Sequence, residues 1–183
     1  MRQRLVFFAV LWSVFACGAS AQQPPDPQVL AAFHGIAQHA SRLLPMLEQV
    51  RAKEWVSQGA PETYALQVER ARQQIQAIGT EMDLVAQHPE AMQDCMKALF
   101  RVQTFHGGLD SLLGGLRRYQ NPALADLIQS VAAEDQGDIE RLQSYILQLA
   151  DEKEQEFQVV EHEAQRCRAD LSRNPANKAP GKP

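Results

Sequence analysis

Between Tyr64 and Val85 the apolar residues fall at Tyr64, Val68, Ala71, Ile75, Ile78, Met82 and Val85, in steps that alternate between four and three. A mean step of about 3.5 residues puts all of them on one stripe of an α-helix, whereas a strand would scatter them over both faces. The same beat runs through Phe33, Ile36, Ala40, Leu43, Leu47 and Val50, and through Met92, Cys95, Leu99, Val102, His106, Leu109, Leu113 and Leu116. A helix with one apolar stripe must bury it against a neighbour. Composition points the same way. Ala, Leu, Gln, Arg and Glu dominate, Val and Ile are scarce, and aromatic content is 7%. These are residues that lose little rotamer freedom in a helix, and a β-sandwich or parallel sheet would need β-branched strands instead. The 183 residues suit one globular domain.

Proline and glycine divide the pattern. Helix 1 is predicted over residues 28–57, with Pro45 kinking or splitting it near Ser41 because proline lacks the amide hydrogen and its ring clashes with the preceding turn. Gly59 is placed just past a helix end, and Pro61 starts helix 2, which runs to about residue 87. His88-Pro89 separates it from helix 3, residues 89–119, in which Gly107-Gly108 and Gly114-Gly115 suggest close approach of a neighbouring helix or a soft hinge. Asn121-Pro122 is an N-cap followed by a first-turn proline.

The segment from Pro122 to about Ser172 carries one stripe at Leu124, Ile128 and Val131 and another at Ile139, Leu142, Ile146, Leu149, Phe157, Val160, Ala164, Cys167 and Leu171. Between them Glu134-Asp135-Gln136-Gly137-Asp138 has no apolar residue. If the helix ran straight through, residue 145 would lie opposite Cys95, and Cys167 would be about 33 Å further on. A disulfide needs Cα atoms within about 7 Å. A short helix over 122–134 followed by a new helix near Asp138 would instead bring Cys167 level with Cys95, so the break and a Cys95–Cys167 disulfide support one another. The resulting expectation is an antiparallel, up-down-up-down four-helix bundle with a short fourth helix capping one end. The alternative is a long antiparallel hairpin with helix 1 packed along one half.

The chain ends carry other signals. Arg2 and Arg4 precede an apolar run over residues 5–16, and Ala19-Ser20-Ala21 fits signal-peptidase cleavage, so residues 1–21 read as a signal peptide. Twelve apolar residues are too few to cross a bilayer, which takes about 20, and no later stretch approaches that length. Val14-Phe15-Ala16-Cys17 is a weaker lipobox-like alternative, in which Cys17 would carry a lipid anchor. Residues 22–27 read as a Pro-rich linker, residues 28–172 as the bundle domain and residues 173–183 as a disordered tail. Export to the periplasm or beyond places Cys95 and Cys167 in an oxidising compartment. Cleavage removes Arg2 and Arg4 and moves the formal net charge from −4 to −6. That charge argues against a nucleic-acid partner.

No G-x-S-x-G, H-E-x-x-H, Walker A, G-x-G-x-x-G, C-x-x-C-H or Glu-x-x-His motif is present. Three weaker groupings remain. His106 has Asp110 four residues on, which could orient the imidazole as a base or metal ligand. His34, His39, His88, Cys95, His162 and Cys167 gather near one end of the expected bundle and could bind zinc or copper, with Cys95, Cys167, His34, His162 and His106 as the weak metal candidates. Against this, His162 lies about 140° around its helix from Cys167. Residues 151–156 form an acidic run, read as a solvated helix face. The functional expectation is an exported, non-catalytic bundle without a cofactor that acts through its surface on a protein partner, as an adaptor, chaperone-like or sensor-type module. The alternative is a metal-binding or redox bundle.

Overall fold

Asp26 accepts a hydrogen bond from the Gln28 amide at 2.9 Å, and Pro27 occupies the first turn of the helix that follows. The structure is a computed structural model that describes residues 26–173. Its first helix, α1 (Pro27–Arg42), therefore starts inside the stretch read as a linker. The signal-peptide, lipobox and tail segments lie outside the described residues, apart from Arg173. Pro45 splits the first predicted helix, as expected. It sits in the first turn of a short α2 (Leu44–Leu47), and the chain resumes in α3 (Ala52–Ser57). Gly59 then adopts φ +95°, and the amides of Gly59 and Ala60 donate to the carbonyls of Val56 and Trp55 at 3.0 Å each. That pattern closes a helix through a left-handed residue, which glycine reaches without steric cost.

The remaining elements are α4 (Thr63–Gln87), α5 (Met92–Tyr119), α6 (Pro122–Ala132), a 3₁₀ turn (Ala133–Asp135) and α7 (Gln136–Arg173). Among the described residues there is no strand. Cross-links fix the directions. Gln67 bonds Ser111 at 3.2 Å and Arg101 pairs with Glu81 at 2.6 Å, so α4 and α5 are antiparallel. Along α5 and the last column, Arg117 meets Asp126 at 3.0 Å, His106 meets Asp135 at 3.1 Å, and Tyr145 donates to the Pro89 carbonyl at 3.1 Å. Phe33 packs edge-on against Tyr145 while Arg42 pairs with Glu134, so α1 and the last column also run oppositely. The fold is an up-down-up-down helical bundle.

One part of the expectation is corrected. The short helix α6 does not cap an end of the bundle. It lies along the C-terminal half of α5, and the 3₁₀ turn passes the chain into α7 within the same column. The acidic stretch interrupts the α-helix without reversing it.

The seam of α4 is buried as expected at Val68, Ala71, Ile75, Ile78, Met82 and Val85. In α5 the burial is wider than one seam. Ala98, Phe105 and Leu112 are buried in a second stripe, while Leu99 and His106 stay partly exposed. The reason is that α5 packs against α4, α6 and α7, and a two-sided contact needs a broader apolar arc. The glycine pairs also separate. A Cβ on Gly115 would stand 2.6 Å from Cε1 of Tyr64, whose ring is fixed against Trp55 and Tyr119 at centroid distances of 5.7 and 5.9 Å. Gly114 and Gly137 face open space, and neither has a positive φ. Gly114→Ala and Gly137→Ala should each raise the melting temperature, through a gain of up to about 1 kcal/mol in helix propensity. Gly115→Ala should lower it by overpacking, at a cost of about 1–3 kcal/mol. Parallel thermal melts of the three variants check the signs.

Candidate docking surface

The structure does not bring the two expected disulfide partners together. Cys95 is fully buried and Cys167 is exposed, and both are free thiols. Both Tyr145 and Cys95 bond the carbonyl of Pro89, the latter through its thiol at 3.4 Å. Tyr145 is thus the α7 residue level with Cys95. Because α7 continues unbroken from Gln136, Cys167 stands 22 residues further on, about 33 Å away along the helix. Burial, reinforced by the nearby Asp94 carboxylate, pushes the Cys95 thiol up to about 11. Burial likewise pushes the Tyr145 phenol up to about 12.

The metal candidates are not brought together either. Cys95 is inside the core, His34 is exposed on α1, His106 is midway along α5, and His162 and Cys167 are on the far part of α7. Among the described residues no three His, Cys, Asp or Glu side chains group closely enough to hold an ion. His106 does have a carboxylate partner, but it is Asp135 rather than Asp110. Its Nε2 lies 3.1 Å from Asp135 Oδ2. Asp135 is the buried charged residue of the core, 4% exposed, and its Oδ1 has no partner among the described residues. A buried carboxylate held by one histidine ties α5 to the α6–α7 junction. Sequence pattern hid this pair, because Asp135 belongs to the stretch that reads as a break and its partner is 29 residues away.

At the end of the bundle where α5 turns into α6, a cleft of about 600 Å³ is lined by Glu48, Gln49, Arg51, Gln120, Asn121 and Leu127, among others. The side-chain amides of Gln120 and Asn121 are already engaged. Gln120 Oε1 accepts from the Arg51 amide at 2.8 Å and from Trp55 Nε1 at 3.1 Å, and its Nε2 donates to the Gln49 carbonyl at 2.9 Å. Asn121 caps α6 by accepting from the Ala123 amide at 3.0 Å. Gln120 therefore serves the gap between α2 and α3, and its amide is not free for a ligand.

The opposite end is different. The last buried residue of α7 is Leu149, yet the helix continues to Arg173. Residues 150–173 span about 36 Å beyond the core. They were expected to be bundle, and Phe157, Val160, Ala164, Cys167 and Leu171 were read as its seam. These residues do form a stripe, but no other described residue buries them. Phe157 is 63% exposed, Val160 65% and Leu171 71%. At 3.6 residues per turn, eighteen residues are five full turns. Phe157, Val160, Ala164 and Cys167 stand eighteen residues after Ile139, Leu142, Ile146 and Leu149, which face the core. The free half of α7 thus repeats, on the same side of the helix, the pattern with which its first half packs into the bundle.

Charge is sorted around this stripe. Glu154 and Glu161 flank it on one side, joined by Arg168, and Glu156, Glu163 and Asp170 flank it on the other. Arg166 and Arg173 lie toward the back of the helix. Glu156 and Glu163 make exposed ion pairs with Lys153 at 2.9 Å and Arg166 at 4.0 Å. Such pairs are worth little in water. The acidic run thus matters as the border of an apolar face. Sequence pattern alone could not separate this seam from a buried one, since periodicity records an apolar face and not its cover.

No family model matches this chain, and neither a curated protein nor a solved structure matches it.

The two cysteines give a direct check. In native protein Cys167 should react with a thiol reagent at neutral pH at once, and Cys95 only after denaturation. The pH dependence has a definite sign. Cys95 and Tyr145 hold their protons to higher pH in the folded chain than the ordinary values of 9.0 and 10.0. Above about pH 9 the unfolded chain releases protons that the folded chain keeps, so stability should fall as pH rises from about 9 toward 12. Urea midpoints across that range should decline less steeply in Cys95→Ala and in Tyr145→Phe than in the wild type.

Proposed function

We propose that this is an exported, non-catalytic interaction protein, in which the bundle is a mount and the free half of α7 is the docking element. The carrying observation is the exposed stripe Phe157–Val160–Ala164–Cys167–Leu171, which repeats the core-facing pattern of the same helix beyond the end of the core. Helical stability in proteins comes mainly from packing an amphipathic face, and this half of α7 packs its face against no described residue. A stripe of this kind is the form in which helices recognise other helices, through residues spaced by three and four. Export rests on Arg2, Arg4, the apolar run over residues 5–16 and Ala19-Ser20-Ala21. Among the described residues no helix is long and apolar enough to cross a membrane.

Two measurements test this reading. Intact mass of the protein from its native source should place the N-terminus at Gln22, or at a lipid-bearing Cys17, and an uncleaved Met1 would contradict export. For docking, a photo-crosslinker installed at Val160 in the full mature chain should join it to a defined partner in envelope extracts. Phe157→Glu combined with Leu171→Glu should abolish that product and leave the unfolding free energy within about 1 kcal/mol of wild type, since both side chains are already solvated. An equal yield from a crosslinker at the bundle-surface residue Asp126, or no effect of the double substitution, would place the function elsewhere.

A further inference from the structure

We infer that the occupant of the free α7 stripe is an amphipathic helix of another protein whose apolar seam is bordered by lysine or arginine. The inference rests on the docking reading above and adds the chemistry of the partner. In paired helices the residues beside the seam choose the partner, because they face their counterparts across the interface at close range. Here Glu154, Glu156, Glu161, Glu163 and Asp170 hold five of these border positions and Arg168 one. Every one of those side chains is exposed. The other basic residues of the segment are elsewhere. Arg166 and Arg173 lie toward the back, and Lys153 is in the seam itself, paired with Glu156.

The same border argues against two other occupants. An antiparallel second copy would set the Glu156, Glu163 and Asp170 border against itself, and a parallel one would set Glu156 against Glu161, with the Glu163–Arg168 pairing as the offset. Like charges across an interface oppose pairing. An anionic membrane surface attracts amphipathic helices with basic borders, and this border is acidic. A basic-flanked helix meets complementary charge on both sides of the seam. The stripe from Phe157 to Leu171 is about 21 Å long within a free segment of about 36 Å, so a partner helix of about 15 residues covers it and one of up to about 24 residues can lie along the whole segment.

The test uses full-length mature protein and two synthetic 24-residue helical peptides with the same leucine and isoleucine seam, one bordered by lysine and the other by glutamate. Calorimetry should find binding of the lysine peptide, weakening at least tenfold between 50 and 500 mM salt by screening, and little or no binding of the glutamate peptide. Hydrogen exchange should show protection gained within residues 151–171. Phe157→Glu with Leu171→Glu should abolish binding although it makes the protein more acidic, so general charge attraction cannot mimic the result. Glu156→Lys with Glu163→Lys should shift preference toward the glutamate peptide. Equal affinity for both peptides with protection at 151–171 would overturn the charge inference while leaving the docking stripe standing. No binding of either peptide, or protection confined to the bundle, would overturn both. A sedimentation dimer dissolved by Phe157→Glu would assign the stripe to a second copy and overturn the inference.

Discussion

Tyr145 donates its phenolic hydrogen to the carbonyl of Pro89, and this bond sets where the bundle ends. It pins α7 to the turn between α4 and α5, beside the buried Cys95 thiol that uses the same carbonyl. Once that level is fixed, the length of α7 decides the rest. Only the stretch from Gln136 to about Leu149 finds neighbours in α1 and α5, and the remaining turns have nowhere to go but outward. The His106–Asp135 pair, one column-third earlier, holds the same register at the α6–α7 junction. Two polar contacts on an otherwise apolar interface thus fix an antiparallel alignment that hydrophobic burial, being non-directional, would specify less sharply.

The consequence is a molecule with two unlike ends. Where α5 turns into α6, Gln120 gathers the Arg51 amide, the Trp55 indole and the Gln49 carbonyl, and the rings of Trp55, Tyr64 and Tyr119 pack around it. At that end the Gln120 amide is spent on the chain's own groups, beneath the cleft. At the other end one helix leaves alone, with half of its apolar pattern unspent. A bundle that only had to be stable would stop near residue 150, because the further helix adds ordering cost without burial. Among the described residues the stripe stays uncovered, and the docking proposal rests on that exposure.

Much of the architecture was legible. The spacing in α4 named six buried residues correctly, Pro45 marked the split of the first helix, Gly59 its left-handed end and Asn121-Pro122 the start of α6. The misreadings have physical sources. His106 was taken for a core position because the heptad treats α5 as one-sided, whereas three neighbours shift the buried arc onto Phe105. The arithmetic that placed residue 145 opposite Cys95 was right for a continuous column, but the pairing of two cysteines weighed in favour of a reversal. The 3₁₀ turn at Ala133–Asp135 relaxes the helix without turning it back, and Cys167 stays far from Cys95. The candidate site was visible as a stripe and hidden as a surface. Apolar periodicity is the same whether a helix faces its own core or a partner, and the acidic borders that distinguish the two cases read simply as solvated charge.

The account turns on whether α7 continues as one helix past the core. Spin labels on Cys167 and on a cysteine introduced at the exposed residue Glu140 would measure this in a Cys17→Ser chain, since the buried Cys95 resists labelling. A helix unbroken between them spans 27 residues, so a single narrow distance distribution centred at about 40 Å should result. A distribution centred below about 25 Å would mean that the chain folds back toward the bundle, and it would contradict both the free stripe and the function built on it.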